Sequence, residues 1–219
     1  MTSVSPGSTL LAEMSPEFLS VLEKNAERLD IAAIDRALRF AAAAHRGQKR
    51  MSGEDFVEHS IAVASILAGL LVDTTSICAA LLHDVVEDSD TTIEDLRGEF
   101  GDAIADLVAT LSDDPSIESY RDRKDEHRGR VAAIDGDALA IYAADKLTNM
   151  TTLHKAIEVE GMRGAEEYDV QVGLKLEVWE ADAAMLRHEA PELPLLDPLD
   201  VAISRLGADL KAASPLPGT

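Results

Sequence analysis

Residues 80 to 96 read ALLHDVVEDSDTTIEDL, and the first nine decide how the rest of the chain is read. Just upstream, Ile77, Ala79, Ala80, Leu81 and Leu82 are apolar on nearly every side, which predicts a helix packed all round rather than one lying on a surface. His83, Asp84, Glu87 and Asp88 then arrive together. On one continuous helix these four fall within an arc of about 140°, while Leu81, Leu82, Val85 and Val86 fill the opposite side. Either the arc faces water, or something cationic compensates three carboxylates and an imidazole beside a packed face. A divalent metal is the economical compensator, because His and Asp supply nitrogen and oxygen donors without sulfur.

Outward from this stretch the chain reads as helices separated by short punctuation. Ser15-Pro16-Glu17 is a cap followed by proline at the first helical position, which opens a helix. Ile31, Ile34, Leu38 and Ala41 repeat at helical spacing, and that helix ends at Gly47. After the polar loop GQKRMSGED, residues 47 to 55, His59, Val63, Ile66, Leu67, Leu70 and Leu71 again repeat at three and four. Asp73 or Thr74 caps the helix carrying the opening stretch, and Thr91 with Glu94 reads as a capping box for a short helix ending at Phe100-Gly101. Residues 112 to 130 are highly charged and are expected to form either a solvated helix or a flap. The apolar period resumes after Gly136 through Leu139, Tyr142, Ala143, Leu147 and Met150, with further helices near 167 to 190 and 199 to 212.

Composition agrees with an all-α chain. Aromatics are only 4% and runs of alternating β-branched residues are missing, so the balance leans to helix. Forty-one acidic against twenty basic residues, a formal charge of −21, argue against a nucleic-acid surface, which needs clustered Lys and Arg. The single cysteine, Cys78, has no internal disulfide partner and falls in an apolar run. The opening MTSVSPGSTLLAEM has neither the basic nor the apolar region of a leader, and no stretch is long enough to span a bilayer. A cytoplasmic protein with no nucleic-acid or membrane partner is the expectation.

Two donors on one helix do not close a metal site. His59 stands at the start of an apolar helical face, and Asp145 interrupts the buried-looking run AIYAADKLTNM. The order His59, His83-Asp84, Asp145 resembles the H…HD…D signature of the HD metal-dependent phosphohydrolases. The surrounding wording, AHRGQKRMSGEDFVEHS at 44 to 60, AALLHDVVEDSDTTIEDLRGEFG at 79 to 101 and AADKLTNMTTL at 143 to 153, looks like the hydrolase domain of the Rel/Spo stringent-response family. That resemblance implies a helical bundle of the HD phosphohydrolase type, with an N-terminal segment holding one helix over residues 1–29, the hydrolase domain over 30–190, and a C-terminal helix and tail over 191–219 packed on the same domain. With no nucleotide-synthesising domain in the sequence, the chain looks like a stand-alone small alarmone hydrolase.

The family removes the 3′-pyrophosphate of guanosine tetra- and pentaphosphate, giving GDP or GTP, with Mn²⁺ or another divalent transition metal. The resemblance makes His59, His83, Asp84 and Asp145 the metal ligands and matches Glu87 and Asp88 to the catalytic pair. It matches Arg50 to a residue stacking on guanine, with Ser52, Lys146, Asn149 and Thr152 as further contacts of the guanine nucleotide. The residue types suit those roles: an acidified water needs a neighbouring carboxylate, and a planar guanidinium suits a purine face. His45 is assigned to the pocket wall, while His127, His154 and His188 look incidental.

This chain also departs from the family wording. Met51 stands where a second basic residue is usual, Asp55-Phe56 and His59-Ser60 replace PY and HP, and Thr151 stands where an arginine often precedes the last threonine. Two positive charges are thereby lost, which keeps a second reading open: the same fold and metal acting on another phosphorylated nucleotide.

Overall fold

The computed structural model describes residues 10–11, 15–50, 53–70, 72–134, 136–161 and 172–213. These form α-helices and connecting loops, with no β-strand among the described residues. Ser52 and Met51 lie outside them. The chain divides into two compact units, Met1–Gln48 with Asp55–Ser112, and Lys49–Glu54 with Asp113–Thr219.

The first unit contains α1 (Pro16–Glu23), α2 (Ile31–Ala44), α3 (Phe56–Gly69), α4 (Thr74–Leu82), α5 (Val85–Asp88), α6 (Ile93–Phe100) and α7 (Asp102–Leu111). Its centre is α4, which packs against α2, α3 and α7. Every residue from Ser76 to Leu82 is buried, which is why this helix is apolar on all sides. Asp73 starts it, accepting from both the backbone N–H and the hydroxyl of Ser76 at 2.8 Å. Cys78 is fully buried there.

Two expectations in this unit are corrected. The helix through the opening stretch is not continuous: α4 ends at Leu82, His83 and Asp84 form a turn, and α5 follows. His83 Nδ1 lies 2.8 Å from the Ala80 carbonyl, the acceptor that the amide of residue 84 would use in an uninterrupted helix, so the side chain competes with the ladder. The capping box lies one residue later than Thr91 and Glu94. Thr92 accepts from the Asp95 N–H at 3.1 Å and Asp95 accepts from the Thr92 N–H at 2.9 Å. Thr91 is drawn the other way, its hydroxyl 2.9 Å from Ser89 Oγ and its N–H donating to the same oxygen at 3.1 Å.

The second unit contains α8 (Tyr120–Ala132), α9 (Asp137–Glu160), α10 (Val172–Glu189) and α11 (Leu196–Ala213). The long α9 is its core, packing against α8, α10 and α11 and burying Ala138 to Lys146 without a break. The charged stretch at 112 to 130 resolves into α8, capped by Ser119. This helix buries only His127 and Val131, which explains its weak apolar period. His127 is therefore not incidental. Its Nδ1 lies 2.9 Å from Asp113 and its ring meets Tyr142 edge to face. His154 ties α9 to α11 through Asp209 at 2.7 Å, and only His188 is plainly exposed.

Candidate active site

In the first unit, α3 begins after Asp55 and places His59 in its first turn, 4% exposed. His83 is equally buried, its ring centroid 5.3 Å from that of His59. Asp84 faces both: one carboxylate oxygen lies 3.1 Å from His83 Nε2 and the other 3.6 Å from His59 Nε2. The break between α4 and α5 makes this possible, since it turns Asp84 toward the histidines rather than along the helix. With His83 Nδ1 donating to the Ala80 carbonyl, Nε2 carries the ring lone pair. A lone pair aimed at a carboxylate is repulsive without a cation or proton between them, so His59, His83 and Asp84 have the chemistry of a divalent-cation donor set.

Glu87 and Asp88 project from α5 and are exposed. Their turn is fixed from the loop after α2: Gln48 Nε2 donates to the Asp88 carbonyl at 2.6 Å. Gln48 is held in turn by His45, whose Nδ1 lies 2.9 Å from its Oε1, and His45 stacks on Phe56 at 4.4 Å between centroids. Gly47 has φ of 80°, which lets the chain leave α2 and turn into this loop. Gln48 was missed in the sequence, although its place in HRGQ was the available signal.

In the second unit Asp145 lies buried on α9. Its Oδ2 accepts from Lys146 Nζ at 2.8 Å and its Oδ1 from Asn149 Nδ2 at 2.6 Å, and Asn149 Oδ1 accepts from Arg50 at 2.7 Å. The structure thus links Arg50, Asn149, Asp145 and Lys146, four of the residues singled out in the sequence. Thr152 is half-buried on the same helix, one turn beyond Asn149. Burial alone would push the Lys146 ammonium down, but the adjoining Asp145 carboxylate outweighs it and holds Lys146 well above the ordinary lysine range. Arg50, Lys146 and Asn149 line a cavity of about 260 Å³. Tyr120, Lys124, Lys175 and Trp179 line it as well, and sequence reading missed all four because they belong to segments without a strong apolar or motif pattern.

Comparison with known proteins identifies the family. The HD domain matches residues 37–169, more than half of the chain. The chain belongs to the HD-domain family. This HD-domain chain is 42% identical over 129 residues to a guanosine-3′,5′-bis(diphosphate) 3′-pyrophosphohydrolase of Vibrio cholerae, covering 56% of the chain and 18% of that relative. It is 41% identical over 123 residues to a GTP pyrophosphokinase of Streptomyces coelicolor, covering 55% of the chain and 14% of the relative. It therefore spans less than a fifth of the length of these curated relatives. Among solved structures it is similar to a metazoan ortholog of SpoT, described as hydrolysing ppGpp, with a TM-score of 0.66 and 29% identity over 80% of this chain and 96% of that one.

Beside these residues the HD-domain chain builds a buried polar network in its second unit, around Asp182, which lines the same cavity. Asp182, 1% exposed, accepts from Tyr142 Oη at 2.9 Å and from Arg128 Nε at 2.7 Å. Burial pushes the Tyr142 hydroxyl well above the ordinary tyrosine range, so it stays a neutral donor to Asp182. Lys146 Nζ lies 4.2 Å from the centre of the Tyr142 ring, which joins this network to Asp145. Among the described residues no helix is long and apolar enough to cross a membrane.

Proposed function

We propose that this chain is a metal-dependent hydrolase that removes the 3′-pyrophosphate of guanosine tetra- and pentaphosphate to give GDP or GTP. The carrying observation is the convergence of His59 and His83 on Asp84, in a chain whose fold covers 96% of a structure described as that of a ppGpp-hydrolysing protein. His59, His83 and Asp84 hold the metal, Mn²⁺ in this reading, and Asp145 supplies the remaining carboxylate. Such an ion supplies Lewis-acid polarisation of phosphate and acidification of water.

The chain's own groups do the rest. Water attacks the phosphorus next to the ribose, the bond from that phosphorus to the 3′ oxygen breaks, and pyrophosphate leaves. Glu87 takes the proton from the attacking water and Asp88 returns one to the 3′ oxygen, as two carboxylates on one short helix held in place through Gln48. Arg50, fixed by Asn149, lies against the guanine base, and Lys146 and Thr152 contact the nucleotide. Ser52 belongs to the same loop as Arg50 and is assigned with it. The ligand is a small guanine nucleotide rather than a nucleic acid, in keeping with the charge of −21.

A second reading keeps the fold and metal but changes the substrate to another phosphorylated nucleotide, and it is favoured by Met51 and Thr151 standing where basic residues are usual. Competition between guanosine tetraphosphate, adenosine 3′,5′-bisphosphate and NADPH in one Mn²⁺ assay separates the two. Preferred release of pyrophosphate from the tetraphosphate supports the first, and turnover confined to the others supports the second.

A further inference from the structure

We propose that His45 is a positioning residue for the reaction: its Nδ1–H, acting through Gln48, fixes the turn that carries Glu87 and Asp88. On the reading of the chain as a hydrolase, on which this inference rests, those two carboxylates move the protons. His45 is then more than pocket wall, and its donor nitrogen rather than the bulk of its ring is the group that counts.

The pair stands on a helix too short to hold itself. α5 has four residues, and a single helical turn is unstable on its own. Of these residues only Val85 is buried, while Glu87 and Asp88 are exposed. The last carbonyls of the helix have no partner within it and accept from two side chains. Ser89 Oγ donates to the Val85 carbonyl at 2.5 Å, and Gln48 Nε2 donates to the Asp88 carbonyl at 2.6 Å. Ser89 follows directly on the helix and travels with it. Gln48 comes from the loop after α2, so its bond ties the turn to the frame of the first unit.

That frame is fixed through main chain and side chain together. The Gln48 N–H donates to the His45 carbonyl at 3.0 Å, and the Gln48 carbonyl accepts from the Phe56 N–H at 3.2 Å. The His45 ring, 3% exposed, stacks on Phe56 with 21° between the planes. Polarity then runs one way along the bonds. A backbone carbonyl can only accept, so the Gln48 amide presents Nε2 to Asp88 and Oε1 to His45. Oε1 lies 2.9 Å from His45 Nδ1 and also can only accept, so Nδ1 carries the hydrogen. Without that donor, nothing at His45 selects the amide orientation that Asp88 needs. General acid–base transfer requires each carboxylate within hydrogen-bond reach of its proton, so a displaced turn slows the chemical step and leaves metal and nucleotide bound.

Three variants of the Mn²⁺-loaded protein test this, with kcat, KM and metal content measured on whichever nucleotide wild type hydrolyses. His45→Phe keeps the ring stack and removes the donor. His45→Asn removes the ring and keeps an N–H at the position of Nδ1. Gln48→Glu keeps the shape and removes the donor to Asp88, and at a half-buried position it carries the test should His45→Phe fail to fold. The expected result is a kcat lower by about 10- to 100-fold in His45→Phe and Gln48→Glu, with KM and metal as in wild type, and recovery in His45→Asn. Combining His45→Phe with Gln48→Glu slows the reaction no further than Gln48→Glu alone, because the two act in series. Amide hydrogen exchange over residues 85 to 89, which needs no turnover, quickens in the slow variants and not in His45→Asn. Wild-type kcat or unchanged exchange in Gln48→Glu, or equal kcat in His45→Phe and His45→Asn, overturns the role and leaves the hydrolase reading intact. A wild type that hydrolyses none of the nucleotides of the competition assay overturns the hydrolase reading and the role with it.

Discussion

His83 Nε2 stands 3.1 Å from the carboxylate of Asp84, the residue that follows it, because the helix breaks between the apolar run and the acidic one. The pair brings a lone pair and a negative charge to the same point, beside a second imidazole 3.6 Å from the other Asp84 oxygen. Asp84→Ala is therefore expected to abolish both stoichiometric metal and activity. Elemental analysis of the purified variant beside a turnover assay checks this, and retention of metal at wild-type stoichiometry removes Asp84 from the donor set.

Glu87 is exposed on α5, the helix that follows Asp84. Glu87→Gln is expected to keep the metal and lose turnover by roughly 10²- to 10⁴-fold, the span ordinarily associated with a general base. A variant that loses metal instead places Glu87 among the ligands.

The buried network around Asp182 bears on stability. Asp182→Ala leaves the Tyr142 hydroxyl and Arg128 Nε without their acceptor in a site 1% exposed, while Arg128 Nη1 keeps Asp125, at a cost of about 2 kcal/mol. Urea unfolding measures it as a lower midpoint. An unchanged midpoint shows that the network can be dismantled without penalty.

Acid should destabilise the second unit through His127. Burial lowers its pKa below the ordinary 6.5, with Lys146 and Lys124 adding to the effect and Asp113 opposing it. The unfolded chain then binds a proton that the folded chain resists, so stability is complete above about 6.5 and falls as the pH drops below it. Burial pushes Asp113 up, but its bonds to His127 and Lys124 outweigh this and hold it well below the ordinary carboxylate range, so its contribution is lost only in stronger acid. The melting temperature of wild type should fall between pH 7.5 and 5.5, and His127→Gln should flatten that slope. Parallel slopes in the two proteins would remove His127 as the cause.

Cys78 is expected to be inert. Burial pushes its thiol up to about 12, so the folded protein should react with a thiol reagent only as fast as it opens, and fully after denaturation. Rapid labelling of the native protein would contradict the packing of α4.

The fold was legible because its signals are local. The all-round apolar run before His83 announced the central helix of the first unit, and that helix is buried from Ser76 to Leu82. Asp145, an acid within an apolar run, likewise announced the buried face of α9. The end of α4 was not legible, because a His83 side chain bonding Ala80 looks in sequence like any helical histidine. Nor was α8: a helix that buries only His127 and Val131 has no apolar period to read, and so Lys124 and the role of His127 were hidden with it. Gln48 stood in the HRGQ wording, but its role was hidden, since its bond to the Asp88 carbonyl joins residues 40 apart.

The most direct test of the central claim is to strip the protein of metal, add Mn²⁺, and follow guanosine tetraphosphate by anion-exchange chromatography. GDP and pyrophosphate appearing together, and only with the ion present, is the predicted result. A tetraphosphate that stays intact in the metal-loaded protein would contradict it.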